Sequence, residues 1–490
     1  MSAITPIEFT HLLSACRPPS GWGKSITVAL SGGPDSICLL SLLHRARLGL
    51  PLRSITIDHA LQPTSRDSAL RTRARSEAIG VPGLVLPAEW DRGIPKEGEA
   101  VEGAARDARY RALWRGLELG EGSGTVMFGH HADDQVETVI MRVLRGTGTY
   151  GLGGMRAVRR WGWVGGRARD VTSPRTSDTL QGMQTYISRP LLTIPKERIL
   201  ATCRAHNLEY EQDVTNFMPD LTVRNAVRHV LARANRGAIS TNGAHGSTLN
   251  DGMRSISTDA IQSAIRHVHI LAGGTGTPDL NLVRAYVGKM SERVRQVDDL
   301  VTDYLRIHTR PSPPSTLLLI PPQQQMETDT AHALVHRVLR YVSPHPWGTP
   351  ASEAHRRRTS IERVVQKVLH EQDQDQAPLA RFCAGAHVLW SPIWARPDGT
   401  IRTRRAGEQG GGRVKGWLAS RQPPTGSTSL EQIVHPGETV VWDNRFLIRV
   451  PDRPDLVVRP RGRFVLPQVV RDGRVVDGCW VEFIRESSAV

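Results

Sequence analysis

Two polar segments contain residue types that bind phosphate and move protons. The first directly follows an apolar run and consists of Ser31, Gly32, Gly33, Pro34, Asp35 and Ser36. Glycines let the backbone turn tightly and approach a ligand, and the free N–H groups at a helix start attract phosphate. Two hydroxyls add donors, and Asp35 could hold a magnesium ion. This segment therefore predicts a phosphate-binding loop.

The second segment, residues 129–138, reads GHHADDQVET. On a helix, His130, Asp134 and Glu137 lie on one face because they are four and three residues apart. A carboxylate there could share magnesium, an imidazole could donate to a leaving phosphate, and another carboxylate could hold an amine. The alternative is a capped helix with solvated acids, and two histidines beside two aspartates make that the weaker interpretation.

Other motifs are individually weak. Arg109 lies in a charged helical segment, residues 189–192 read RPLL, and Arg224 and Arg228 are one helical turn apart. Arginines spaced in this way can clamp phosphates. The residues Gly23, Lys24 and Ser25 resemble the end of a Walker A loop, but they precede the strand and the required first glycine is missing. We therefore reject a Walker A site.

The two segments lie among alternating strands and helices. Apolar runs predict strands at 26–30, 53–57, 84–86 and 125–128, and helical patterns predict helices at 37–48, 66–79, 99–119 and 132–144. Such alternation predicts an α/β fold in which helices cover a parallel sheet.

The rest of the chain divides by composition. Residues 146–190 form a connection rich in Gly, Arg and Trp, and helices are expected at 194–207 and 221–235. We predict a catalytic domain over 1–235, a flexible linker or insertion over 236–280, a helical region over 281–375, and a smaller β-rich region over 376–490, with possible tRNA binding. An amphipathic stripe from Val283 to Leu305 marks the helical region.

The order of these motifs resembles the tRNA(Ile)-lysidine synthetase family. That family belongs to the N-type ATP pyrophosphatase, or PP-loop, superfamily, and the resemblance spans roughly residues 26–230. It implies a PP-loop fold, ATP and Mg2+ as cofactors, and adenylation of the wobble cytidine of an isoleucine tRNA. The ε-amine of free lysine then attacks base C2 and displaces AMP to give lysidine.

The resemblance also implies residue roles. Residues 31–36 would bind the ATP phosphates, Asp35 and Asp134 would hold magnesium, and His130 would act in adenylation with them. Lysine would be held by Arg109, Asp134 and Glu137, and the tRNA or the adenylate by Arg224 and Arg228. The family often has an arginine shortly after the second strand, where this chain has Gln62. Any role of an arginine at that position is therefore in doubt.

Two other functions fit parts of the sequence. A tRNA 2-thiolation enzyme of the same superfamily would need catalytic or cluster-binding cysteines, and Cys203 is the only cysteine in residues 39–382. A catalytically inactive tRNA-binding protein would be expected to have lost Asp35, His130 or Asp134, and all three are present.

Composition restricts the partners and the compartment. The net charge of +15 favours a polyanionic partner such as RNA. No apolar run is long enough for a membrane span, so no membrane partner is expected. Five scattered cysteines favour a reducing compartment. Segments 156–188 and 236–260 are longer than is usual in the family, which favours a mitochondrial enzyme over a cytoplasmic one.

One basic segment is a further RNA-binding hypothesis. Residues 156–175 contain six arginines and one acid, with Trp161 and Trp163 between them. Arginines neutralise phosphates, and indoles can stack on unpaired bases. The alternative is a surface segment whose tryptophans cover the domain.

Overall fold

The computed structural model describes most of the chain. The described residues are 1–90, 93, 101–119, 124–162, 181–211, 222–235, 248–250, 255–311, 315–321, 326–345, 358–370, 380–396, 400–405, 411–424, 430–451 and 455–485. They divide into one unit of residues 1–161 and 184–294 and a second of residues 162–183 and 295–490. Among the described residues, no helix has the length and apolarity needed to cross a membrane.

The first unit alternates strands and helices. Its helices are α1 (Pro6–Ala15), α2 (Pro34–Ala46), α3 (Ser65–Ile79), α4 (Val101–Glu118), α5 (Ala132–Leu144), α6 (Lys196–Ala205), α7 (Val223–Asn235), α8 (Thr258–Leu271) and the start of α9 (Leu280–His308). Its strands are β1 (Ile26–Ala29), β2 (Leu52–Asp58), β3 (Gly83–Pro87), β4 (Thr125–Met127), β5 (Val158–Arg160), β6 (Tyr186–Ser188), β7 (Thr248–Asn250) and β8 (Ser255–Ser257). A 3-10 turn spans Thr149–Gly153.

The main sheet has the order β3-β2-β1-β4-β6-β5. The pairs from β3 to β6 are parallel, and β5 is antiparallel to β6. The strand order reverses between β1 and β4, because β2 and β3 extend one way and β6 the other. In open α/β sheets, ligands bind beyond the carboxyl ends of the strands at such a point. The predicted parallel α/β fold is confirmed.

Burial explains why these segments form a covered sheet. Helix α2 is buried along most of its length, and its apolar residues join a core with β1, α1 and α6. Parallel strands covered on both faces are expected to have continuous apolar runs, and Val28 in β1 and Val126 in β4 are fully buried. The core therefore holds the ends of β1 and β4 in fixed positions.

The structure adds elements that composition concealed. Strands β5 and β6 lie in the segment 146–190, which was predicted to be a connection. Its high content of Gly, Arg and Trp concealed short buried runs such as Tyr186–Ser188. Helix α8 lies in the segment predicted as a linker or insertion. Its residues Ile261, Ile265 and Val268 are buried in a cluster with α5, α7 and the start of α9. This apolar face has helical spacing, so the segment from 258 to 271 is part of the core of the first unit.

The second unit is mainly antiparallel. Its helices are the end of α9, α10 (Thr328–Val342) and α11 (Arg358–Val364), which continues as a π-helix over Val365–His370. Its strands are β9 (Thr309–Pro311), β10 (Leu317–Leu319), β11 (Phe382–Cys383), β12 (Val388–Ala395), β13 (Ile401–Thr403), β14 (Val414–Arg421), β15 (Gln432–Val434), β16 (Thr439–Trp442), β17 (Phe446–Arg449), β18 (Leu456–Arg461), β19 (Leu466–Arg471), β20 (Arg474–Val475) and β21 (Trp480–Phe483).

The β-rich character predicted for the C-terminal region is confirmed, with two strands that begin earlier. Strand β10 pairs with both β9 and β14, so these two short strands belong to the same sheet as the later ones. In the described part of the chain, two further sheets have the orders β15-β18-β19-β20 and β16-β17-β21. The short strands β9 and β10 were hidden among helical patterns.

Candidate active site

The two chemically promising segments lie side by side at the point where the strand order reverses. The loop of residues 31–36 leaves the carboxyl end of β1 and opens α2, and the segment of residues 129–138 leaves the carboxyl end of β4 and opens α5. Because β1 and β4 are hydrogen-bonded neighbours, their following loops must meet. The sheet topology therefore builds one site from two segments that lie about a hundred residues apart.

The phosphate loop is held in shape by its own hydroxyls. Ser36 Oγ donates to the carbonyl of Gly33 at 3.1 Å and accepts from the N–H of Ser31 at 3.2 Å. Gly32 has φ +83°, and a Cβ there would lie 2.4 Å from Thr72 Oγ1. Gly33 caps α2 and Pro34 begins it, so the free N–H groups of the first turn face the loop. This geometry suits a bound phosphate.

Gly129 allows the two segments to touch through their backbones. A Cβ at this position would lie 2.8 Å from the carbonyl carbon and oxygen of Asp35 and 2.9 Å from the nitrogen of Ser36. These neighbours are backbone atoms that cannot rotate away. Only glycine lets the second segment approach the phosphate loop this closely.

Replacing Gly129 with alanine should therefore displace the phosphate loop. We expect a loss of about 1–3 kcal/mol in the free energy of unfolding, as for other overpacked sites, together with weaker ATP binding. Gly103→Ala is the matched control, because a Cβ there meets nothing within 4 Å and helix α4 should tolerate it. Urea unfolding and ATP titration would measure both effects, and equal ATP affinity in the two variants would contradict this account of Gly129.

The carboxylates of Asp35 and Asp134 face each other across one imidazole. His131 Nε2 is 3.6 Å from Asp35 Oδ1 and 3.5 Å from Asp134 Oδ2. Asp35 also accepts both its hydrogen bonds from Lys196 Nζ, at 2.5 and 2.6 Å. Two hard carboxylates beside a phosphate loop fit a magnesium ion that would take its other ligands from phosphate and water. Among the described residues, no three acidic, histidine or cysteine side chains form a metal cage.

His131 and Asp134 also form the N-cap of α5. His131 Nδ1 accepts from the N–H of Asp133, and Asp134 Oδ2 accepts from the N–H of His131 at 3.0 Å. Burial raises the pKa of Asp134, but His131, His130, Arg224 and this N–H outweigh burial and hold the pKa below its ordinary value. Asp134 is therefore an anion fixed in one orientation.

His130 precedes the N-cap of α5, so it does not share a helical face with Asp134 and Glu137 as predicted. Its ring is stacked on that of Phe128, with 5.5 Å between ring centres. Its Nδ1 accepts from Arg189 Nε at 3.3 Å. Burial and the charge of Arg189 lower the pKa of His130 well below its ordinary value. Because Nδ1 is an acceptor, the proton of the neutral ring is on Nε2, and this N–H can donate to an oxyanion.

Glu137 forms a buried ion pair with the predicted RNA-binding arginines. Arg228 donates to its Oε1 at 2.8 Å and its Oε2 at 3.0 Å, and Arg224 Nε lies 3.9 Å from Oε2. Burial and the nearby Asp134 raise the pKa of Glu137. The structure thus joins Asp134, Glu137, Arg224 and Arg228, residues that were assigned to two different ligands.

Arg109 belongs to a cationic cluster around Tyr110. Arg106, Arg109 and Arg159 lie within 6.0 Å of the Tyr110 ring centre. Although burial opposes it, the charges of Arg159, Arg106, Arg189 and Arg109 lower the pKa of Tyr110 to about 8. The charge of Arg109 also acts on His130. Arg109 is therefore electrostatically part of the site.

Trp161 does not serve the RNA-stacking role considered from the sequence. Its side chain is only 6% exposed and packs against Tyr110 and Trp114, with ring centres 5.1 and 5.7 Å apart. The alternative, a tryptophan that covers the domain, is the one observed. Trp163 and the arginines at 167, 169 and 175 lie outside the described residues.

Two site residues were not singled out from the sequence, Lys196 and Arg189. Lys196 is the first residue of α6, where a cation is unfavourable for the helix dipole. That misplaced charge is the signal that could have revealed it. Arg189 was noted only as part of the RPLL segment, and its burial at 4% exposure follows from the strand β6 that was missed.

Known proteins are similar in sequence to the part of the chain that contains these residues. Residues 8–235 match the family model of the PP-loop domain. The tRNA(Ile)-lysidine synthase of Alkalilimnicola ehrlichii is 39% identical over 230 residues, which cover 46% of this chain and 44% of that protein. That of Bradyrhizobium sp. is 38% identical over 201 residues, which cover 40% of this chain and 49% of that protein. The chain thus spans about half the length of the curated relatives it matches.

Among solved structures, a U34-tRNA thiolase from Methanococcus maripaludis with its [4Fe-4S] cluster has a TM-score of 0.34 and 13% identity, covering 59% of this chain and 77% of that chain. The family match spans the residues that form the site. Residues 8–235 of this chain are a PP-loop domain.

Proposed function

We propose that this chain, built on a PP-loop domain, is a tRNA(Ile)-lysidine synthetase. In the presence of magnesium, the adenylyl group of ATP would be transferred to the wobble cytidine of an isoleucine tRNA. The base O2 attacks the α-phosphate and pyrophosphate leaves. The ε-amine of free lysine then attacks C2, AMP leaves with that oxygen, and lysidine forms.

One observation carries the proposal: a phosphate loop meets a helix whose carboxylates extend away from it in a row. Asp35 and Asp134 converge on His131 beside the loop, and Glu137 lies one helical turn further. The first two fit a cation that accompanies phosphate, and the third fits the ammonium of an amine substrate. ATP activation followed by amine attack needs both kinds of group within one site.

In the adenylation step, the loop N–H groups and Lys196 would bind the phosphates. The Lys196 ammonium already lies against Asp35 at the mouth of the loop. Magnesium would supply charge neutralisation on the phosphate oxygens. The Nε2–H of neutral His130 would donate to the oxygen on which negative charge develops, held in orientation by Arg189.

In the second step, Glu137 would hold the lysine side chain. Its raised pKa suits a carboxylate that accepts a proton from an ammonium, because attack requires the free amine. Arg228 donates to both carboxylate oxygens of Glu137. For lysine to bind there, Arg228 would have to share these oxygens with the lysine ammonium or turn toward a phosphate. Arg224 and Arg228 are the groups proposed to meet the tRNA or the adenylate.

Replacing Glu137 with alanine should impair lysine use and spare adenylation. The lysine ammonium loses its carboxylate, whereas Asp35, Asp134 and the phosphate loop are unchanged. We expect the lysine KM to rise at least tenfold while pyrophosphate release changes less than threefold. Glu118→Ala, an exposed acid on α4, is the control. An unchanged lysine KM would remove Glu137 from lysine binding.

Burial of the cysteines in the first unit, Cys16, Cys38 and Cys203, weighs against thiolation at this site. Cys203 and Cys38 are 1% and 0% exposed, and both belong to the apolar core between α2 and α6. A thiolation enzyme needs a cysteine that reaches its substrate or a cluster. An assay with isoleucine tRNA, ATP and radiolabelled lysine tests the proposal directly: lysine retained on the tRNA, with one AMP released per lysine, is the expected result.

For the compartment we propose the mitochondrion. The proposal rests on segments 156–188 and 236–260, which are longer than is usual in the family. The relatives described above are bacterial and give it no support. Cell fractionation with an antibody against the chain tests it, and recovery in the cytosolic fraction would favour the cytoplasmic alternative.

A further inference from the structure

An arginine beyond the matched domain reaches into the site from α9. Arg284 Nε donates to Asp133 Oδ1 at 2.6 Å, and its Nη2 contacts the same oxygen and Glu197 Oε1, the latter at 3.1 Å. The Arg284 side chain is only 11% exposed. One guanidinium therefore joins the first turn of α5, where Asp133 lies, to the first turn of α6, where Glu197 lies.

The contact continues to the phosphate loop through Asp133. The second oxygen of Asp133, Oδ2, accepts from the backbone N–H of Lys196 at 2.9 Å. The side chain of the same Lys196 donates to both oxygens of Asp35. Four residues thus form a continuous chain from Arg284 through Asp133 and Lys196 to Asp35.

This chain fixes the position of Lys196. Without Arg284, the carboxylates of Asp133 and Glu197 would lose the cation that both contact, and like charges repel. The carboxylate would turn toward water and release the N–H that begins α6. A cation at the first position of a helix already opposes the helix dipole, so Lys196 depends on such anchoring.

We propose that Arg284 is a positioning residue for ATP use, acting through Asp133 to hold Lys196 at the phosphate loop. The inference rests on the proposed function insofar as Lys196 meets the ATP phosphates. It extends the functional site beyond residue 235, where the match to the PP-loop family ends.

The test compares Arg284→Ala, Arg284→Lys and Arg306→Ala in the full chain. Arg306 is the control because it lies on the same helix in an exposed ion pair with Asp303. We expect Arg284→Ala to weaken ATP binding and raise the ATP KM at least tenfold, with the lysine KM unchanged. Arg284→Lys should recover part of this loss, because an ammonium can still reach Asp133. Arg306→Ala should match the wild type.

A purely structural role would lower the melting temperature and leave both KM values unchanged, which would overturn the proposal. If Arg284→Ala does not fold, Asp133→Asn and Arg284→Lys replace it: a raised ATP KM in either supports the chain of contacts, and wild-type values in both contradict it. ATP affinity is measured without tRNA. If the wild-type chain binds ATP but makes no lysidine, the result contradicts the proposed function and leaves the role of Arg284 in ATP binding to be decided by the variants.

Discussion

Asp35→Asn should reduce adenylate formation at least a hundredfold. The substitution keeps the shape of the side chain and removes the charge that faces both Lys196 and the Asp134–His131 pair. A lost electrostatic contact of this kind costs about 3 kcal/mol of transition-state stabilisation, which corresponds to roughly a hundredfold in rate. Pyrophosphate release in single-turnover conditions measures the effect.

The matched control is Asp67→Asn, an exposed acid in the first turn of α3. It changes the net charge equally and lies outside the site, so its rate should equal that of the wild type. If Asp35→Asn keeps a rate within tenfold of this control, Asp35 does not take part in the reaction.

Lys196→Met should weaken ATP binding and slow adenylation together, with a combined loss of at least a hundredfold in kcat/KM for ATP. Methionine retains much of the apolar stem of lysine and removes the ammonium that lies at the loop. Two effects contribute to this loss. The ATP phosphates lose a cation, and the half-buried carboxylate of Asp35 loses its ion-pair partner. Initial rates at varied ATP and saturating lysine give the measurement.

Lys24→Met provides the comparison for Lys196. Lys24 is exposed in the segment that resembles a Walker A ending, so it also tests the rejection of that motif. Normal activity in Lys24→Met with a strong loss in Lys196→Met is the expected pattern. The reverse pattern would show that Lys24, and not Lys196, binds the ATP phosphates.

The α/β architecture and the two central segments could be predicted because they are local in sequence. Buried strands such as β1 and amphipathic helices such as α5 carry their signal within about a dozen residues. Loops that follow neighbouring parallel strands must converge, but the pairing of β1 with β4, which brings Asp35 and Asp134 to the same imidazole, is known only from the structure. The sequence could therefore indicate which chemistry the site supports.

The pairings within the site could not be predicted, because they depend on contacts between distant segments. Arg189, which contacts His130, directly follows β6, a three-residue strand in a Gly- and Arg-rich connection. Arg284 reaches Asp133 across 151 residues. Glu137 was assigned to lysine, and nothing local indicates that Arg228 occupies its oxygens. The packing of α7 and α9 against α5 brings Arg228 to Glu137 and Arg284 to Asp133.

Mass analysis of isoleucine tRNA after incubation with ATP, magnesium and lysine tests the central claim most directly. Nuclease digestion followed by mass spectrometry should locate a gain equal to lysine minus water on the wobble cytidine, absent when ATP or lysine is omitted and absent with Asp35→Asn. A tRNA that gains sulfur, or that returns unmodified from a chain shown to bind ATP and tRNA, would contradict the proposal that this chain forms lysidine.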